Sequence, residues 1–503
     1  MRRFVKWKTL ALVLCVCAFE SGSLAQNWQA KVVINWDKVT RVSKTAPTYQ
    51  IAASPLLLPG SPVHDQVYSA MHNLQAEYAR FGAWYVFPKL GVAELAPPQD
   101  GKTYWDFSLM DPMVIDFLKA TQGHKIIMEL STIPEWMFKT PKPVSYPTDA
   151  NQLDYTYEEG TELRDPSLKE VADYFARLAS WYTHGGFTDE YGQWHASGHY
   201  FKIDYWEVLN EIDFEHRTTA EAYTALYDAI VAAIRHIDPN MKFVGLALGV
   251  SPVPVGWDQS RFFEYFLNHA NHKPGIPIDM ISYHVYATPG SDEVPYIQQF
   301  TVFEQADSFL RLTKYIDLIR QRLSPQTQTV VDEIGTISYD DGSQGEPNHV
   351  TEPIPDSYWN LSAAMYAYIY NQLSHAGVES AGMSSLLDYP TFFPSVTMID
   401  WNSGQPNARY WVLKLLIENV GPGDKQVETA IDLPFIDAQA YVTPDGKRKI
   451  LMVNKRDRPF DALIPGIKGS VEQYVDETTN FHPPGSQKLD TDHVTLQGYT
   501  VAI

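Results

Sequence analysis

From about Thr48 to Gly421 the chain alternates short runs of β-branched and apolar residues with longer stretches in which apolar residues recur every three or four positions. A strand repeats every two residues and a helix every 3.6, so this alternation predicts successive βα units. Eight runs read as strands, at residues 49–53, 78–87, 125–130, 205–209, 243–248, 280–285, 329–332 and 382–387. The intervening helices are expected at 166–182, 220–236, 261–269, 303–322, 358–375 and 408–418, the first opened by Asp165 as N-cap with Pro166 in its first turn. Eight units are what a closed (β/α)8 barrel needs, so the fold class is α/β with a TIM barrel. After Gly421-Pro422-Gly423 the helical period stops and short alternating runs follow. Residues 422–503 therefore read as a small all-β domain of the sandwich type, to which residues 31–42 add a strand. The barrel is assigned to residues 26–421.

An open, doubly wound sheet is disfavoured because no glycine-rich first βα turn is present. Gly101-Lys102-Thr103 resembles the end of a phosphate-binding loop, but the upstream glycine that loop requires is Ala96. Three connections after strand runs are long: 134–164, 287–300 and 338–356. In a barrel such loops build the active-site face, and the aromatic residues of the first, Trp136, Phe138, Tyr146, Tyr155 and Tyr157, suit stacking on sugar rings or sealing the loop to the rim.

Composition changes the picture at the N-terminus. Residues 1–25 combine a basic start (Arg2, Arg3, Lys6, Lys8), an apolar run from Leu10 to Phe19 and a small-residue close at Ser23-Leu24-Ala25, the pattern of a signal peptide. The apolar run is about half the ~20 residues a membrane span requires. An extracytoplasmic protein, secreted or periplasmic, is expected. Both cysteines, Cys15 and Cys17, lie in this segment, which removes disulfides, thiolate catalysis and cysteine-held zinc from the mature chain. The formal charge is −21, and losing the leader removes four bases and one acid, making it more negative. So acidic a surface repels phosphate backbones and anionic membranes, which disfavours nucleic-acid and membrane partners. Oligomeric state is not encoded in any pattern found.

Two strand ends carry the chemistry. In Tyr205-Trp206-Glu207-Val208-Leu209-Asn210-Glu211, alternation places Glu207, Leu209 and Glu211 on one face, with Glu211 at the C-terminal mouth. Burial of a carboxyl there favours its protonated form, as a general acid requires. In Thr329-Val330-Val331-Asp332-Glu333, Glu333 occupies the tip of a second apolar strand. Two such carboxyls facing each other suit glycoside hydrolysis, at about 5–5.5 Å for a retaining pair and about 6.5–9.5 Å for an inverting one. A third run, Met280-Ile281-Ser282-Tyr283-His284-Val285-Tyr286, brings a His and a Tyr to hold the second carboxylate ionised.

Trp206-Glu207 followed by Asn210-Glu211, His284 with Tyr286, and Asp332-Glu333-Ile334-Gly335 resemble the clan of retaining (β/α)8 glycosidases. Within it the chain is most similar to glycoside hydrolase family 39, the family of β-xylosidases and α-L-iduronidases. The resemblance runs from Ala79-Arg80-Phe81-Gly82 through Glu129 and Pro134-Glu135-Trp136 to the C-terminal domain. It implies Glu211 as acid/base, Glu333 as nucleophile, Asn210 as ligand of the sugar 2-hydroxyl and Arg80 as support of the nucleophile. The family's strand-eight Trp is absent from Met383-Ser384-Ser385-Leu386-Leu387-Asp388-Tyr389-Pro390, so Tyr389 or Trp401 is expected to stand in. The substrate-binding set is therefore Asn210, His284, Tyr286, Arg80, Trp136 and Trp401.

These readings predict an exported O-glycosidase acting on a β-xyloside or related glycoside of an oligo- or polysaccharide, without cofactor or metal. An endo-acting glycanase and a carbohydrate-binding barrel without catalysis are the alternatives. A metal-dependent hydrolase would draw on Glu215-His216 or Asp340-Asp341, but no His-x-His or His-Glu-x-x-His spacing occurs and the acidic pair reads as a solvated loop.

Overall fold

The computed structural model describes residues 29–83, 86–154, 160–250, 259–290, 295–338, 341 and 354–503. The leader read at 1–25, Tyr155, Tyr157 and Asp340 lie outside them.

Eight strands close the barrel: β1 (Ala46–Ala52), β2 (Tyr78–Ala83), β3 (Lys125–Leu130), β4 (Tyr205–Glu207), β5 (Lys242–Gly249), β6 (Met280–Ala287), β7 (Gln328–Thr336) and β8 (Ser380–Met383). Neighbours in sequence are neighbours in the barrel, every pairing is parallel, and β8 returns to β1. The longer helices are α1 (His64–Leu74), α2 (Met110–Ala120), α3 (Lys169–Thr183), α4 (Ala220–Ile237), α5 (Ser260–Phe266), α6 (Pro295–Leu323), α7 (Asp356–Ala376) and α8 (Ala408–Asn419). Among the described residues no helix is long and apolar enough to cross a membrane.

The start of α3 differs from expectation. Asp165 does accept the Glu170 N–H at 2.9 Å, yet it also binds the Ser167 N–H at 2.9 Å. That local turn delays the helix until Lys169, after Leu168 at φ 63°.

Period-two patterning explains where the barrel places its polar groups. Ala46, Tyr78, Ile127, Tyr205, Val244, Met280 and Val330 form one buried cluster, a floor drawn from the beginnings of seven strands. Two residues further along, on the same inward face, stand Thr48, Arg80, Glu129, Glu207, Ser282 and Asp332, all buried. A charged layer thus lies directly above the apolar floor. The intervening residues, such as Phe81, Met128, Trp206, Phe243 and Ile281, face outward into the main core beneath the helices.

The β domain is one hydrogen-bonded series of nine strands: Gly485–Lys488, Val471–Val475, Val501–Ala502, Arg448–Asn454, Ile436–Val442, Lys425–Ile431, Gln29–Val42, Phe460–Leu463 and His493–Leu496. Its ends curl together, since Ala30, Phe460 and Leu496 share a core with Ile436, Met452 and Ala502. Gln29–Val42 links the two layers by pairing with Lys425–Ile431 along most of its length and with Phe460–Leu463 at its start. The domain seats on α7, where Asp437 accepts hydrogen bonds from Asn371 at 2.6 Å and Gln372 at 2.9 Å.

Candidate active site

Neither catalytic candidate sits where simple alternation puts it. β4 ends at Glu207, and Leu209 (φ 65°) and Glu211 (φ 37°) lie in left-handed backbone, so Leu209 does not continue the inward face. Glu211 is instead held by β5, where Leu246 and Ala247 also have positive φ and the pairing with β6 slips between Gly245 and Leu248. The freed Ala247 carbonyl accepts the Glu211 N–H at 2.9 Å. On β7, Glu333 is not the tip, since three more residues follow it in the strand. A bulge between Val330 and Glu333 sets Glu333 opposite His284. Bulges of this kind re-aim a side chain next to a functional centre.

Arg80 organises the floor of the site. From a fully buried position its Nε donates to Glu207 Oε2 at 2.6 Å and its Nη1 to Glu333 Oε1 at 2.6 Å, while Nη2 donates to Asn210 Oδ1 at 3.2 Å and lies 3.1 Å from Glu129 Oε2. The other end of the Asn210 amide donates to Glu215 Oε1 at 2.8 Å, so both its ends are fixed. Tyr286 donates to Glu333 Oε2 at 2.5 Å. His284 lies between the carboxylates, with Nδ1 at 2.8 Å from Glu211 Oε1 and 3.6 Å from Glu333 Oε2. Its hydrogen bond therefore goes to Glu211, and the Tyr supplies the bond to Glu333.

The electrostatics separate the carboxyls. Burial works against charge on Glu333, but His284, Arg80 and the Tyr286 hydroxyl outweigh it and hold Glu333 below the usual range. Burial likewise opposes a charge on His284, yet Glu333, Asp332 and Glu211 raise it well above an ordinary imidazole, making it an imidazolium. Burial pushes Glu129 upward and Glu207 up to about 8, against the pull of Arg80. Asp332 is held low by Arg80 and His284 despite burial, although both approach it only at 3.4–3.5 Å. The surroundings thus favour charge on Arg80, His284, Glu333 and Asp332 and work against it on Glu129 and Glu207.

One oxygen each of Glu211 and Glu333 and a nitrogen of His284 lie within 4.8 Å of one another. That span would also suit a small ion. His284 Nδ1 is already engaged there with Glu211 Oε1 at 2.8 Å.

The predicted residues divide. Glu211, Glu333, Asn210, His284, Tyr286 and Arg80 meet in one cluster. Trp136 is buried in the loop after β3, where its Nε1 donates to the Glu94 carbonyl at 2.7 Å and Arg164 covers its ring at 4.4 Å, so it seals that loop. Trp401 stands half-buried in a turn before α8, and no contact among the described residues ties it to the carboxylates. His216 is buried beside the Gly160 carbonyl with its ionisation lowered to about 4 by burial. Asp341, read as solvated, is buried and accepts the Ser395 N–H at 3.0 Å.

Sequence reasoning passed over Ser282, Gln50, Ser384 and Gly249. Ser282 donates to Glu207 Oε1 at 2.5 Å. Ser384, following β8, touches the Tyr286 hydroxyl at 2.5 Å and accepts from Gln50 Nε2 at 2.6 Å. Gly249 leaves room for Glu211, since a Cβ there would lie 2.9 Å from Oε1. Alternation from Met280 and Ala46 puts Ser282 and Gln50 on the inward face, whereas Gly249 turns inward only through the irregularity in β5, and nothing in the local pattern marks Ser384.

A parallel eight-stranded barrel with two facing carboxyls at its C-terminal mouth is the arrangement of the barrel class of glycoside hydrolases. Residues 30–328 match the model of glycosyl hydrolases family 39, and the chain belongs to that family. It is similar to a β-xylosidase of Caldicellulosiruptor saccharolyticus, 26% identical over 223 residues that make up 44% of this chain and 39% of that protein. The fold is similar to that of the GH51 arabinofuranosidase from Xanthomonas axonopodis pv. citri, with TM-score 0.64 and 12% identity over 94% of this chain and 99% of that one. It is also similar to a GH39 β-xylosidase from Caulobacter crescentus, with TM-score 0.56 and 16% identity over 94% and 98%.

Proposed function

We propose that the protein is an exported, retaining O-glycosidase of β-xyloside-like or related glycosides. The observation that supports this reading is the approach of Glu211 and Glu333, an oxygen of each lying within 4.8 Å of the other beside His284, close enough to act on one glycosidic bond. Glu333, held ionised by Arg80, His284 and Tyr286, attacks the anomeric carbon. Glu211 hands its proton to the leaving oxygen, and His284 holds the carboxyl by its other oxygen. In the second half-reaction Glu211 takes a proton from water, which attacks the same carbon and releases the Glu333 ester with net retention. Asn210, fixed by Arg80 and Glu215, offers its amide to the 2-hydroxyl.

The test is a panel of aryl glycosides (β-xyloside, β-glucoside, β-galactoside, α-L-iduronide, α-L-arabinoside) assayed with wild type, Glu211→Ala and Glu333→Ala. The expected result is hydrolysis of at least one member, abolished in Glu333→Ala, with azide restoring turnover of an activated aryl glycoside in Glu211→Ala. Silence on the panel and on polysaccharides alike would favour a carbohydrate-binding barrel. Export is checked by fractionating the producing cells, with the mature chain expected to begin near residue 26.

A further inference from the structure

Tyr286 has one proton, and Glu333 as a carboxylate can only accept, so that proton points at Glu333 Oε2. The 2.5 Å contact between the Tyr286 and Ser384 hydroxyls then requires Ser384 to be the donor. Ser384 has spent its own proton in this way, and its oxygen is free to accept from Gln50 Nε2 at 2.6 Å. The opposite orientation of the Gln50 amide would draw the Ser384 proton away and leave two oxygens 2.5 Å apart with no proton between them. The chemistry of the contacts therefore fixes one direction along the chain, Gln50 to Ser384 to Tyr286 to Glu333.

The surroundings keep it in line. Ser384 is fully buried, with its N–H on the Ile334 carbonyl at 3.0 Å and its carbonyl taken by Arg409. Gly335 is bare where a Cβ would lie 2.9 Å from the Tyr286 ring and 3.3 Å from the Ser384 carbonyl oxygen. Gln50 is itself buried on β1, in register with Arg80 of β2.

We propose that Ser384, oriented by Gln50, is a positioning residue that donates to Tyr286 and so strengthens the hydrogen bond by which Tyr286 holds Glu333. Successive hydrogen bonds that point the same way polarise one another, so a donor two bonds removed from the carboxylate still acts on it. This deepens the glycosidase reading and rests on it.

The experiment is the pH dependence of kcat/KM on the best aryl glycoside for wild type, Ser384→Ala, Gln50→Leu, Tyr286→Phe and Tyr286→Phe/Ser384→Ala. Ser384→Ala is expected to move the acid limb upward by about 0.2 to 0.5 pH unit, a fraction of one hydrogen bond's effect, and Gln50→Leu by less in the same direction. In the Tyr286→Phe background, Ser384→Ala is expected to add nothing, because its effect passes through the lost hydroxyl. Gln50→Leu carries the test if Ser384→Ala does not fold. Acid limbs that superimpose on wild type, or an equal shift without Tyr286, would overturn the proposal while leaving the glycosidase reading intact. A wild type that hydrolyses no glycoside would sink both.

Discussion

His284 is bonded through Nδ1 to Glu211 at 2.8 Å and stands 3.6 Å from Glu333, so a single buried imidazolium touches both carboxyls of the site. It orients one by a hydrogen bond and steadies the other by charge. His284→Gln keeps a donor but removes the charge, so Glu333 takes up a proton more readily. The acid limb of kcat/KM is expected to rise by about one to two pH units, the effect of one nearby charge. A limb that stays at the wild-type position would show that Arg80 and Tyr286 suffice.

Gly249 and His284 are register partners on neighbouring strands, and the missing Cβ of Gly249 is the space that the Glu211 carboxyl occupies. Gly249→Ala is expected to lower kcat by about 10- to 100-fold through displacement of that carboxyl from His284. Thermal melting should stay within a few degrees of wild type, because the added methyl presses on the end of a side chain.

Arg80 pairs with Glu207 and Glu333 at 2.6 Å and lies near Glu129 and Asp332 in a sealed floor. Arg80→Met leaves those acids with only the more distant His284 and is expected to cost about 3–5 kcal/mol in urea unfolding, besides abolishing activity. A loss below ~1 kcal/mol would mean that the floor carboxyls neutralise one another by sharing protons.

Burial pushes the Glu207 carboxyl up to about 8, well above its range in an unfolded chain. A raised folded-state value means that its stabilising contribution is full below the unfolded value and fades as pH rises through about 8. Glu207→Gln mimics the neutral acid, so its melting temperature is expected to match wild type near pH 5 and exceed it at pH 9. Parallel curves at all pH values would place the proton elsewhere in the floor.

The fold was legible because barrel strands and helices differ in period. The eight strand runs and the six helices anticipated from spacing each overlap an observed element. Boundaries slipped where a local polar contact competes with the helix, as at Asp165, or where a strand carries a bulge, as in β7 around Asp332. Glu211 and Glu333 could be picked out as candidates because carboxyls beside apolar strand runs stand out in any sequence. The backbone that aims them could not, since a bulge at Leu246 and Ala247 leaves no mark on the spacing of apolar residues. Trp136 misled for a related reason: an aromatic residue in a mouth loop looks the same whether its ring faces sugar or, as here, lies under Arg164. Ser384 was invisible because a small residue after a short strand has no pattern to break.

In the proposed mechanism Glu333 becomes covalently attached to the sugar. The most direct measurement is peptide mapping by mass spectrometry after incubation with a 2-deoxy-2-fluoro glycoside of the preferred sugar, which slows release of the intermediate. A single fluoroglycosyl adduct on the peptide containing Glu333, absent in Glu333→Gln, is the predicted result. An adduct on another carboxylate, or turnover without an adduct and with proton NMR showing the inverted anomer first, would contradict the account.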